Sequence, residues 1–325
     1  MTEEVMDDGE SGAEAELRRV LVPAASHGER LDRALAGMVP EFSRSYLQQL
    51  IDAAAVTLNG QPVSKPSTRV KAGDVLEIEL KPTPQSQAFK PEAMPLDVVF
   101  EDEHLLVLNK RAGLVVHPAP GNWSGTLLNG LLARDAQAFL LPRAGIVHRL
   151  DKDTSGLMVV AKKRQVMDRL VEMIAARTVS REYLALAQNS WEGAASRQVD
   201  QPIGRDPRNR LKMAVVDLDR HSGKTAFTGF YRLDSTEGYC LVRCKLQTGR
   251  THQIRVHMAF IGHPLVGDDV YGGQAAAGME RQALHACRLA FNHPVTGEAL
   301  EFKSPLPADM AAAQLALGLG YNQSQ

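Results

Sequence analysis

The sequence has 325 residues, of which 44% are hydrophobic and 23% charged, as in an ordinary globular protein. No stretch approaches the roughly 18 uncharged apolar residues that a membrane-spanning helix needs, and the acidic start, MTEEVMDDGE, does not resemble a signal peptide. Three cysteines supply no disulfide framework, so we expect a reducing, cytoplasmic location.

Charge is distributed unevenly along the chain. Residues 1–16 hold seven acidic residues and no Lys or Arg, which predicts a disordered acidic arm. The other 37 basic and 31 acidic residues give a net charge of +6. This balance permits an RNA partner without requiring one.

Residues 17–80 predict a small domain that begins with a short β-strand. Apolar residues at helical spacing indicate a helix within 31–38, and Ser43 is a suitable N-cap for a second helix. The Asn59-Gly60 pair then predicts a hairpin turn. Three prolines and polar residues in 81–92 predict a linker.

From residue 93 onward, the pattern predicts a mainly antiparallel sheet with a few helices. Apolar residues four apart indicate a helix over 163–176. Alternating segments predict strands over 178–188, 225–232, 238–246 and 252–258. A regular alternation of strands and helices is missing, so the fold class is predicted to be α+β, not a doubly wound parallel sheet.

The segment HRLDKDTSGLMVVAK, 148–162, contains charged residues between two apolar runs that predict short strands. Asp151 is expected where the first strand gives way to a turn, with Arg149 on the same face. The segment fits either a solvated surface turn or a loop that holds a carboxylate for chemistry.

A second segment, LQTGRTHQIRVHM, 246–258, alternates like a half-buried strand. Alternation does not account for Arg250, which follows a turn and could form an ion pair with Asp151. Upstream, Tyr183 has Ala185 and Ala187 on its own face of a predicted strand. A tyrosine beside small residues fits ordinary core packing or a platform for a flat base.

Motifs for other chemistries are missing from the sequence. The Gly-rich segment GHPLVGDDVYGG matches neither a phosphate loop nor a dinucleotide fingerprint, and a nucleophile elbow is missing. We predict no metal site, because the candidate ligands lack a recognised spacing and are explained more simply as buried residues. These candidates are Cys240, Cys244, His252, His257 and His285.

The segment HRLDKDTSGLMVVAK resembles the signature of the RluA/RluD-type pseudouridine synthases. Further blocks resemble that family in the same order: NKRAGLVVHP, KTAFTGFYRL, LQTGRTHQIRVHM and GHPLVGDDVYG. Residues 28–80 resemble the RNA-binding domain first seen in ribosomal protein S-four. One departure is Ala54-Ala55, where that domain is expected to have a glycine-containing turn.

The resemblance implies an enzyme that isomerises uridines in RNA to pseudouridines without a cofactor. It implies a catalytic domain over 93–310, with a mixed, mainly antiparallel sheet and a central cleft, followed by a tail over 311–325. By position, Asp151 would be the catalytic aspartate and Tyr183 the aromatic that stacks on the target base. Arg250 would be the basic partner of Asp151, and Leu246 would line the pocket.

The expected partner is an RNA stem-loop of the large ribosomal subunit, bound by a monomer. Residues expected to bind the substrate are Arg149, Leu246, Thr248 and His252 at the pocket, and Arg30, Arg44, Arg205, Arg208 and Arg210 on the RNA-binding surfaces.

Two alternatives remain from the sequence. A non-catalytic RNA-binding assembly factor would share the small domain but gives no reason for Asp151 and Arg250 together. An N-glycoside hydrolase would need a second carboxylate to activate water, for which Asp153 or Asp269 could be proposed.

Overall fold

The computed structural model describes residues 16–40, 44–80, 88–119 and 121–320. The chain divides into two compact units, 1–87 and 88–325. The predicted acidic arm lies outside the described residues except for Glu16, which begins a strand. The predicted N-cap Ser43 and the first part of the predicted linker, 81–87, also lie outside them.

The first unit packs two helices on a four-stranded antiparallel sheet of order β1-β4-β2-β3. Its elements are β1 Glu16–Leu21, α1 Leu31–Met38, α2 Arg44–Asp52, β2 Val56–Leu58, β3 Gln61–Pro62 and β4 Val75–Leu80. The helices form because their apolar residues recur on one face, and Leu35, Leu47 and Ile51 are fully buried against the sheet. The predicted helices and hairpin are confirmed.

The second unit is built on a long sheet. Its strands are β5 Val98–Glu101, β6 Leu105–Lys110, β7 Ser155–Ala161, β8 Ser180–Gln188, β9 Ser196–Asp200, β10 Ile203–Arg205, β11 Met213–Val215, β12 Gly223–Lys224, β13 Phe227–Ser235, β14 Tyr239–Leu246, β15 Leu284–Asn292 and β16 Ala299–Lys303. Its helices are α3 Leu127–Arg134, α4 Arg164–Ala175, α5 Gln253–Phe260 and α6 Ala308–Ala316. None of the described helices is long and apolar enough to span a membrane.

Nine of these strands form one mixed sheet of order β5-β6-β7-β15-β8-β14-β13-β9, with β16 paired to β15. Among the described strands of this sheet, β7 and β15 are the one parallel pair. The α+β, mainly antiparallel prediction is confirmed. A separate small sheet, β11-β10-β12, forms from the chain between β9 and β13.

Alternation along the strands divides the core between the two faces of the sheet. Tyr183 and Ala185 point to the face covered by α3 and α5, whereas Leu184 points to the face that packs against α6. Helix α4 covers that second face further along, where Leu170 packs against Val159. The candidate site lies on the first face.

Four segments differ from the sequence prediction. Residues 252–258 are not a strand, since α5 begins at Gln253. The run before Asp151 forms only an isolated bridge, Ile146 to Val160. The second part of the predicted linker belongs to the second unit, because Asn129 Nδ2 donates to the carbonyl of Lys90 at 2.8 Å. Helix α6 crosses the predicted domain end at residue 310, and its apolar side packs into the core, so 311–316 are not a tail.

Candidate active site

An open cleft of about 740 Å³ lies on the α5 face of the sheet in the second unit. Its wall includes six arginines: Arg143, Arg149, Arg177, Arg181, Arg250 and Arg255. Asp151 is the one carboxylate among the described residues that line it. The cleft is therefore strongly positive around a single acidic group.

A tight turn presents Asp151 to this cleft. The backbone N–H of Thr154 donates to the Asp151 carbonyl at 3.1 Å, and β7 begins at the next residue. Gly156 has φ +116° and lies so close to β15 that a Cβ there would meet the Ala286 carbonyl oxygen at 2.3 Å. The loop is thus fixed to the centre of the sheet, and the Asp151 side chain is 16% exposed.

Lys110 fixes the same loop through hydrogen bonds to backbone carbonyls. Its ammonium group, which is almost fully buried, donates to the carbonyls of Arg111, Leu114 and Lys152 at 2.9–3.0 Å. Burial lowers its pKa to about 7, although the neighbouring carboxylates act to raise it. Lys110 therefore positions the residue next to Asp151 without reaching the cleft lining.

Arg255, on α5, is the basic residue that contacts Asp151. Its Nη1 lies 3.3 Å from Asp151 Oδ2, and its Nε and Nη2 donate to both oxygens of Asp268 at 2.7 and 2.8 Å. Burial disfavours charge on Arg255, but the hydrogen bonds and charge of Asp268, together with Asp151, outweigh it and raise the pKa of the guanidinium. A buried, rigidly oriented cation thus faces Asp151.

The predicted pairing of Asp151 with Arg250 is wrong. In the part of the chain that the structure describes, Arg250 forms no ion pair with Asp151, and its Nε donates to the Thr225 carbonyl at 3.0 Å. Arg250 does line the cleft. The error follows from α5: on a strand Arg255 would point outward, whereas on this helix all residues from Gln253 to Met258 are buried.

His252 and Tyr271 complete the group around Asp151. The Tyr271 hydroxyl accepts from the Met213 N–H at 3.0 Å and lies 2.7 Å from His252 Nδ1, to which it can donate. Nε2 of His252 then carries the proton and lies 3.9 Å from Asp151 Oδ1. Burial lowers the pKa of His252, which favours the neutral imidazole.

Tyr183 lies in the cleft wall near the start of β8. It is 5% exposed, and burial raises its pKa to about 12, so the phenol stays protonated at neutral pH. Leu246 lies at the end of the neighbouring strand β14, half-buried, and lines the same cleft. The structure thus brings Asp151, Tyr183 and Leu246 together.

The remaining predicted substrate-binding residues lie in several places. Arg149 and His252 line the cleft, and so does Thr248, whose hydroxyl donates to Gln253 Oε1 at 2.7 Å. Residues Arg205, Arg208 and Arg210 lie in the exposed β10–β11 hairpin. In the first unit, Arg30 and Arg44 both donate to the buried carboxylate of Asp32, at 3.0 and 2.7 Å.

Sequence reasoning missed Arg255, Asp268, Tyr271 and Lys110. A signal existed for the first: Ile254 and Met258 are four apart, which is also helical spacing. Asp268 and Asp269 are adjacent in a Gly-rich loop, and nothing in their spacing distinguishes the one that becomes buried.

The chain is similar to known proteins of one family. A family model described as RNA pseudouridylate synthase matches residues 104–260, and an S4 domain model matches residues 29–76. The chain is 47% identical to a protein named "Ribosomal large subunit pseudouridine synthase D" from Neisseria meningitidis serogroup A, over 93% of this chain and 83% of that one. A protein of the same name from Xanthomonas campestris pv. campestris is 42% identical over 96% of both chains. Among solved structures, "Human RNA Pseudouridylate Synthase Domain Containing 4" aligns with a TM-score of 0.54 and 25% identity, over 69% of this chain and 94% of that one.

Proposed function

The chain belongs to the RNA pseudouridylate synthase family, and we propose that it isomerises uridines of large-subunit ribosomal RNA to pseudouridines. The observation that carries this proposal is the single carboxylate, Asp151, held beside the buried Arg255–Asp268 pair in an otherwise positive cleft. Isomerisation requires one bond to break and one to form on the same substrate, so no second substrate has to bind.

Asp151 is proposed to start the reaction in its ionised form. The carboxylate either attacks the anomeric carbon of the ribose or removes the proton from the neighbouring ribose carbon. Either route breaks the bond between N1 of uracil and the sugar. Arg255 supports both, because a guanidinium does not lose its charge at neutral pH and stabilises the adjacent carboxylate in a water-poor site.

Tyr183 is proposed to hold the detached uracil while it turns. Stacking on an aromatic ring contributes about 1–3 kcal/mol per base and allows rotation in the plane of the ring. After rotation, C5 of uracil bonds to the anomeric carbon while the ester to Asp151 breaks, or while Asp151 returns the ribose proton, and C5 then loses its own proton. The raised pKa of Tyr183 means that its phenol is not a ready base, so a relay of this proton would need a second acceptor.

The target nucleotide must leave its base stack to reach Asp151, at a cost of a few kcal/mol that is smallest in a loop. We propose that the S4-like unit, with Arg30 and Arg44, and the β10–β11 hairpin, with Arg205, Arg208 and Arg210, contact the surrounding RNA. The free cysteines Cys240, Cys244 and Cys287 are consistent with a cytoplasmic location.

A hydrolase would need a second carboxylate free to activate water. Neither Asp153 nor Asp269, the two candidates from the sequence, lines the cleft. Asp268, which shares Arg255 with Asp151, is buried and accepts hydrogen bonds from Arg255 on both oxygens, which disfavours that role. The proposed function is tested by mapping pseudouridines in ribosomal RNA from cells with and without the protein. Loss of specific pseudouridines that the wild-type gene restores, and the Asp151→Asn gene does not, is expected. An unchanged map would contradict the proposal.

A further inference from the structure

Arg181, on β8, is a buried arginine with no partner. It is 7% exposed, and its buried Nε has no hydrogen-bond acceptor. Across the described residues its side chain forms neither a hydrogen bond nor an ion pair, whereas Arg255 contacts two carboxylates and Arg288 contacts two glutamates. A buried charge without a partner is costly, so its retention calls for a ligand.

The position of Arg181 points to the substrate cleft. Arg181 and Tyr183 alternate on β8, so they share a face, and both line the cleft. A Cβ on Gly249 would lie 2.9 Å from Nη1 of Arg181, so the glycine leaves room for the guanidinium. Toward the outside, exposed Arg177 also lines the cleft and donates to Gln247 at 3.2 Å. A line of positive charge therefore runs from Tyr183 to the surface.

The cleft wall contains a second unpartnered donor. Nε2 of His148 accepts from the Val159 N–H at 3.1 Å, so the proton of the neutral ring is on Nδ1, and this buried atom has no acceptor. Both unpartnered atoms are donors, and both belong to residues of the cleft wall. Arg181 has donors and no acceptor atom, so a ligand of its guanidinium must accept hydrogen bonds.

We propose that Arg181 binds a phosphate group of the RNA next to the target uridine. Uracil and ribose are neutral, so phosphate is the one group of RNA that can neutralise a buried guanidinium. The planar fork of Arg suits two parallel hydrogen bonds to phosphate oxygens. Binding beside Tyr183 would draw the backbone into the cleft together with the flipped base. This inference rests on the proposed function, because it assumes that RNA is the substrate.

The test combines Arg181→Gln with stem-loop RNAs in which one phosphate near the target uridine is replaced by a neutral methylphosphonate. With wild-type protein, one replacement is expected to weaken binding about 10- to 100-fold, as for loss of charged hydrogen bonds. Arg181→Gln should bind unmodified RNA as weakly as the wild-type protein binds the RNA with that one methylphosphonate. The same methylphosphonate should weaken binding by Arg181→Gln less than about threefold further. If the methylphosphonate at every tested position weakens RNA binding equally in the wild-type protein and in Arg181→Gln, the inference is overturned.

Three controls separate this contact from other effects. Arg169→Gln removes the same charge from α4, on the other face of the sheet, and should retain wild-type affinity and the wild-type pattern of methylphosphonate effects. Arg181→Gln should not lower the thermal midpoint of the free protein, because the side chain it replaces has no partner. A lower midpoint would indicate a structural role and contradict the inference. Turnover of unmodified RNA by the wild-type protein, measured as tritium release from C5-labelled uridine, tests the proposed function separately. Absence of turnover would refute that function. Turnover together with methylphosphonate effects that are the same in both proteins would refute only the role of Arg181.

Discussion

Replacing Arg255 with methionine tests whether this residue, and not Arg250, stabilises Asp151, the proposed catalytic carboxylate. The substitution removes two short hydrogen bonds to Asp268 and one longer bond to Asp151, and it leaves Asp268 charged and 1% exposed. Removing one partner of a buried ion pair costs about 3–5 kcal/mol. With an m-value of about 3 kcal/mol per M, the urea midpoint should fall by about 1–1.7 M.

Tryptophan fluorescence can report this unfolding specifically. Both tryptophans, Trp123 and Trp191, belong to the second unit, and Trp191 is buried. The double variant Arg255→Met/Asp268→Leu removes both charges and should recover most of the lost stability, because an apolar pair can replace a buried ion pair. Turnover should stay lost in the double variant, since Asp151 still lacks its cation.

The control is Arg250→Met, which removes one hydrogen bond to a backbone carbonyl from a partly exposed side chain and should cost less than about 1.5 kcal/mol. A loss below about 1 kcal/mol for Arg255→Met, or a double variant as unstable as the single one, would refute the reasoning.

Three further predictions concern single residues. Asp151→Asn should fold and bind RNA but release no tritium from C5-labelled uridine, because the amide neither attacks nor removes a proton; ordinary turnover would exclude Asp151 from the mechanism. Lys110 has a pKa of about 7 in the folded protein, below its ordinary value of 10.5, so between these values the unfolded chain binds more protons and stability rises with pH. The difference in free energy of unfolding between the wild-type protein and Lys110→Met should increase by up to about 1.4 kcal/mol per pH unit from pH 7.5 to 9.5. A difference that stays constant over this range would show that the amine does not titrate there. Ala54 has φ +54° and is exposed, so Ala54→Gly should stabilise the first unit by up to about 1 kcal/mol in thermal unfolding, and destabilisation would argue against this backbone conformation.

The sequence predicted elements with a clear local pattern. Helix α4 was predictable because its buried residues, Val166 and Leu170, are four apart on one face. Strands β8 and β14 are buried over most of their length, and they were predictable as short apolar runs bounded by polar residues. Helix α5 was not, because a helix buried on all sides loses its polar face, and Ile254 and Val256 then favour a strand. The position of Asp151 was predictable from turn residues beside a buried strand.

The partners of Asp151 were less accessible to sequence reasoning. Pairing with Arg255 depends on a contact between residues 104 apart, and the wrong prediction for α5 turned Arg255 toward solvent. The role of Lys110 depends on three backbone carbonyls, which carry no sequence signal. Local patterns thus identified Asp151, whereas the groups that contact it required the tertiary structure.

The parallel pair of β7 and β15 has a consequence for biosynthesis. Its register, Ser155 with His285 and Gly156 with Ala286, joins strands about 130 positions apart, and the first half of the sheet contains the Asp151 loop. A nascent chain emerging from its ribosome cannot form this junction until β15 has been translated and released. The enzyme should therefore be inert through most of its own synthesis and become competent only near completion, so premature termination products would retain the aspartate without activity.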